Sequence, residues 1–123
     1  MNRYTIWQVK RKFLYEYGFC DLMHLTREGK ARRGVGDAAP YELPRDKWER
    51  IYVYETEKEP SLEWLFRFFN RCDGFRDKDG PPEDYTGHSM SVSDIIETPD
   101  GKLWFCDSFG WENVRWADPA GDS

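Results

Sequence analysis

Ser61-Leu62-Glu63-Trp64-Leu65-Phe66-Arg67-Phe68-Phe69, residues 61–69, sets apolar side chains at 62, 65, 66 and 69. That i, i+3, i+4, i+7 spacing makes one stripe of an α-helix, and Ser61 behind Pro60 is a helix-starting residue. Glu63 and Arg67 form an i, i+4 pair on its flank, and Trp64 and Phe68 add a second apolar row. The pattern predicts a helix over 61–70 that is largely enclosed.

On the amino-terminal side, Tyr4-Thr5-Ile6-Trp7-Gln8-Val9 is β-branched and aromatic and predicts an opening strand. After Lys10-Arg11-Lys12, aromatics at every second position, Phe13, Tyr15, Tyr17 and Phe19, carry the two-residue period of a second strand. Asp21 can cap a short helix over 21–28, with Gly29 placed to end it. Lys30 to Pro44, containing Arg32-Arg33-Gly34, loses periodicity and predicts a long surface loop. Ile51-Tyr52-Val53-Tyr54 predicts a third strand, whose continuation would put Glu55, Glu57 and Glu59 on one face, about 6.7 Å apart if extended.

On the carboxyl side, residues 71–88 are rich in Asp, Gly and Pro and read as a loop. Val92 to Thr98 and Leu103 to Asp107 flank Pro99-Asp100-Gly101-Lys102, the chemistry of a hairpin turn. The expected fold is therefore α+β: a small, mostly antiparallel sheet with the 61–70 helix packed on it and a short second helix. One domain over residues 1–116 and a frayed tail over 117–123 complete the expectation.

The 123 residues carry a net charge of −5, and mean hydropathy is −0.86. No apolar run approaches the ~18 residues of a membrane span, and MNRYTIWQVKRK places charge where a secretory signal needs an apolar stretch, so the expected location is cytoplasmic. Residues 1–50 hold 11 basic and 7 acidic side chains, residues 51–123 hold 7 and 16. That balance disfavours direct nucleic-acid binding and favours a partner with a basic surface. Cys20, Cys72 and Cys106 form no CxxC pair, His24 and His88 lie far apart, and no phosphate-binding glycine loop occurs. Neither a metal nor a cofactor is expected.

Thr86-Gly87-His88-Ser89-Met90-Ser91-Val92-Ser93-Asp94, with Asp107-Ser108 on the partner strand, gathers hydroxyls, an imidazole and carboxylates. A small hydrolase using His88, a nearby serine and Asp107 is one reading. The other has His88 and the serines satisfying backbone groups while Asp94 anchors a turn. Strict alternation would place Asp94 beside Met90, Val92 and Ile96, where a carboxylate needs partners or a raised pKa. Separately, Glu55, Glu57, Glu59, Glu63, Asp73, Asp77 and Asp79 offer a negative face that could occupy a basic groove, with Trp111 and Trp116 as candidate interface anchors. The 21 aromatic residues exceed what one small core encloses, so some are expected at the surface.

The ordered blocks Tyr4–Val9, Ile51–Glu55, Leu62–Asn70, Pro82–Ile96 and Asp107-Ser108-Phe109-Gly110-Trp111 resemble the YodL-like domain family from residue 4 to about 114. The signature residues are Gly87, His88, Ser89, Ser91, Ser93, Asp94, Asp107, Ser108, Phe109 and Gly110. The resemblance implies a small intracellular bacterial domain, frequent on conjugative elements and phages of Gram-positive bacteria, without an established enzymatic activity. Its namesake looks like an antagonist of an actin-like cell-shape protein. The functional expectation is a non-enzymatic protein-binding module of a mobile element, inhibiting a host protein with a basic surface such as a CRISPR or restriction nuclease. Antagonism of an actin-like protein and hydrolysis through His88 are the alternatives.

Overall fold

The computed structural model describes residues 1–33, 40–70, 81–108 and 110–117. Strand β1 (Asn2–Val9) is followed by a 3-10 turn (Arg11–Phe13), α1 (Leu14–Tyr17), α2 (Leu22–Arg27), β2 (Arg32–Arg33) and β3 (Tyr41–Leu43). A second 3-10 turn (Arg45–Lys47) leads into β4 (Trp48–Thr56), then α3 (Leu62–Phe68), β5 (Ile95–Glu97), β6 (Leu103–Asp107) and β7 (Gly110–Trp116). The strands join in one seven-stranded sheet, ordered β2-β3-β7-β6-β5-β1-β4. β3 and β7 pair parallel and the other neighbours antiparallel, so the α+β sheet is mixed.

Both faces of the sheet are covered, which is why Tyr4 to Val9 is buried without interruption. On one face Trp7, Val9, Trp48, Ile95, Phe105 and Val114 pack against Tyr17, Leu22 and Leu25 from the amino-terminal helices. On the other, Tyr4, Ile6 and Ile96 meet Leu65 and Phe69 of α3 together with Tyr85 and Met90. A register shift between Ile6 and Trp7 marks a β-bulge against β4.

The predicted helix at 61–70 forms over seven residues, with the Ser61 hydroxyl accepting the Trp64 N–H at 3.0 Å. Asp21 caps α2 in the same way, through the His24 N–H at 2.8 Å, and Gly29 at φ +77° follows its end. The 99–102 turn closes as read, with Gly101 at φ +89°.

Four expectations are corrected. Residues 13–19 form helical turns rather than a strand: Gly18 N–H bonds Leu14 O, Tyr17 is buried edge-on to Trp48, and Tyr15 is fully exposed at 101%. Alternate aromatics here record separate contacts, because α1 turns the chain away from the sheet ladder. The 30–44 segment holds two short strands, since Leu43 is wholly buried and β3 finds β7 as a partner; residues 34–39 lie outside the described residues. The strand expected over 92–98 shortens to Ile95–Glu97, because Ser93 adopts φ +86° and Asp94 closes a turn onto Ser91. Ala117, placed in the tail, donates its N–H to Leu43 O at 2.8 Å; residues 118–123 lie outside the described residues.

Candidate functional site

Gln8 follows Ile6 by two residues, so its side chain points to the face covered by α3 and the 81–92 segment, where an amide must be satisfied. Its nitrogen donates toward the His88 carbonyl and Asp94 Oδ2, each at 3.0 Å, and toward the Tyr85 hydroxyl at 3.1 Å. Its oxygen accepts the His88 N–H at 3.2 Å, and the Tyr85 hydroxyl donates to the His88 carbonyl at 2.7 Å. Asp94 Oδ2 also accepts the Ser91 N–H at 3.0 Å. The carboxyl is 1% exposed, and burial pushes it well above the ordinary carboxylate range against the pull of the Ser91 and Gln8 donors. The alternation expected to bury Asp94 beside Met90, Val92 and Ile96 does not operate here, because Asp94 closes a turn onto Ser91 before β5 begins.

His88 Nδ1 sits 2.8 Å from the Ser89 carbonyl, which can only accept, so that nitrogen carries the proton. Nε2 therefore faces Asp94 Oδ1 at 3.9 Å, and Oδ1 has no hydrogen-bond partner. The carboxylate beside His88 is thus Asp94. Asp107 instead accepts the N–H groups of Leu22, at 3.2 Å, and of Ser108, at 3.0 Å, at the start of α2. The Ser108 hydroxyl donates to Asp21 at 3.0 Å. Ser91 Oγ has no partner, while Ser93 Oγ accepts the Phe19 N–H at 3.0 Å. Gly87 is pressed into the network: a Cβ there would lie 2.6 Å from Gln8 Oε1 and 2.7 Å from Ile51 Cγ2. Gly110 adopts φ +126° at the start of β7, and Phe109 lies outside the described residues. Chemically, this constellation braces the covering segment onto β1 and leaves one carboxyl oxygen facing one imidazole nitrogen.

The extended alternation expected to put Glu55, Glu57 and Glu59 on one strand face does not continue. β4 ends at Thr56, so the alternation stops before Glu57 and Glu59. The turn beyond it is tied down by Asn2 Nδ2 on the Lys58 carbonyl at 2.8 Å and by Lys58 N–H on Thr56 Oγ1 at 3.1 Å. Glu55 pairs with Arg3 at 3.0 Å, on the face opposite Tyr54. Glu57 is exposed in the turn, Glu59 lines a surface cavity, and Glu63 is exposed on the first turn of α3. Asp73, Asp77 and Asp79 lie outside the described residues. Trp111 is half-buried edge-on to Phe66, and Trp116 is half-buried between Trp7 and Trp48, on opposite faces of the sheet.

Aromatic rings converge beside β4. Trp64 and Phe68 stack at 4.6 Å, Tyr54 stands 5.4 Å from Phe68, and Tyr54 and Trp64 lie 26° from parallel at 6.5 Å. The expected enclosure of α3 fails here, because Trp64 is 41% exposed. Tyr54 and Trp64, with Lys58, Glu59, Pro60 and Ser61, line a cavity of about 330 Å³. It lies beside β4, an edge strand whose outer side pairs with no strand among the described residues. The sequence signal for this group was the second apolar row on α3 facing the alternate tyrosine of β4. Gln8 was signalled only as an amide inside an apolar strand.

Among the described residues no group of three His, Cys, Asp or Glu could hold a metal ion, and no helix is long and apolar enough to cross a membrane. The family model described as YodL-like domain matches residues 3–116. No curated protein and no solved structure matches the chain.

Proposed function

The chain belongs to the YodL-like domain family, and from that premise we propose that it acts by binding another protein, without covalent chemistry, through the face formed by Tyr54, Trp64, Phe68 and the edge of β4 that pairs with no strand among the described residues. The partner is a host protein with a basic surface, of the kind a CRISPR or restriction nuclease uses to hold nucleic acid, and binding inhibits it. One observation carries this reading: an exposed tryptophan stacked on a second ring beside an edge strand, where burial on a partner would recover apolar area left in water. The net charge of −5 supports a basic partner, and the exposed Trp64 stacked on Phe68 supports rings as the main source of affinity.

The test is capture of host proteins on the immobilised chain and on its Trp64→Ala variant at low and high salt. A partner lost with Trp64→Ala but largely retained at high salt supports the aromatic face. Loss by salt alone, with Trp64→Ala still binding, would replace it with charge mimicry. Recovery of an actin-like filament protein would select the alternative that the family resemblance implies.

A further inference from the structure

Resting on the binding reading above, we propose that the cavity between Tyr54, Trp64 and the 58–61 turn receives an arginine side chain of the partner, its guanidinium against the rings and the Glu59 carboxylate. Tyr54, Trp64 and Glu59 in the lining of a single cavity favour a cation with a flat, weakly hydrated head. A lysine ammonium is compact and strongly hydrated and gains less from a ring wall. An anion would find one ammonium, that of Lys58, against Glu59 and the rings.

The cavity is preorganised. Asn2 holds the Lys58 carbonyl, Thr56 Oγ1 holds the Lys58 N–H, and Ser61 both lines the cavity and caps α3 through the Trp64 N–H at 3.0 Å. Binding therefore orders little that is not already fixed. Lys58 also lines the cavity and opposes a cation, so its ammonium must swing to water on its flexible stem when the site fills. Removing that ammonium should strengthen binding, an outcome that a purely apolar pocket would not produce.

The experiment titrates the full chain with acetyl-arginine-amide, and separately with its neutral isostere acetyl-citrulline-amide, following the Trp64 indole N–H and the Ser61 amide by NMR. Both signals should move and saturate with arginine, and citrulline should bind about tenfold more weakly. Glu59→Gln should weaken arginine binding about twofold to fivefold, Lys58→Met should tighten it, and Trp64→Ala should abolish the Ser61 response. Equal responses to citrulline, no response to arginine, or a Ser61 response surviving Trp64→Ala would overturn the proposal. If Trp64→Ala abolishes host-protein capture while arginine leaves both signals unmoved, this inference falls and the binding reading stands. Capture unaffected by Trp64→Ala fails the binding reading instead.

Discussion

Replacing Asp94 by asparagine changes one proton and almost no volume, so it isolates what burying the carboxyl costs. Asp94 binds its proton more tightly in the folded chain than at its ordinary value of 3.8. Its contribution to stability is thus complete below that value and is lost as pH rises toward the folded one. Within that window each pH unit removes about 1.4 kcal/mol, against a total of roughly 5–15 kcal/mol for a domain of this kind. In Asp94→Asn the side-chain oxygen can accept from Gln8 and Ser91 where Oδ2 does now. The amide nitrogen then faces His88 Nε2 and can donate to it, removing the partnerless oxygen. The variant should therefore lack this pH-dependent loss and match or exceed the parent at neutral pH. Urea denaturation of both chains from about pH 4 upward measures the difference, and the same pair in a His88→Asn background shows whether the difference persists without the imidazole. A difference flat in pH would refute the reasoning. A parent that gains stability over the variant as pH rises would show Asp94 ionised in the folded chain.

Gly87→Ala should cost about 1–3 kcal/mol in the same assay, because its Cβ would press on Gln8, Ile51 and the Tyr85 hydroxyl, two of them fixed by the network. Ser61→Ala should cost about 1 kcal/mol by leaving the Trp64 N–H uncapped, and should also weaken arginine binding by loosening the cavity wall. Cys106 is pushed up to about 12, chiefly by burial and then by the Asp94 charge, so it should resist alkylation in the native chain near pH 8 and react on unfolding, as read by peptide mass spectrometry.

From local pattern alone the chain revealed β1, α2, α3 and the 99–102 turn, because each depends on neighbours within a few residues: an i, i+3, i+4 stripe, a hydroxyl or carboxylate three residues before an N–H, a glycine at positive φ. The block at 87–94 was legible as a signature, but a turn at Ser91–Asp94 rather than strand alternation buries the Asp94 carboxyl. Tertiary contacts decided the rest. Alternation of Phe13, Tyr15, Tyr17 and Phe19 fits a strand until Tyr17 finds Trp48, and two short strands at 32–33 and 41–43 exist only because β7 supplies a parallel neighbour for the second. Gln8 reaches His88 and Asp94 across about 80 residues of chain, a pairing that no local period encodes. The same holds for function: the shared spacing of Glu55, Glu57 and Glu59 stops describing one strand face once β4 ends at Thr56, while Tyr54 and Trp64, ten positions apart, are brought to one cavity. Periodicity records which side of an element is apolar, and only packing decides whether that side is covered.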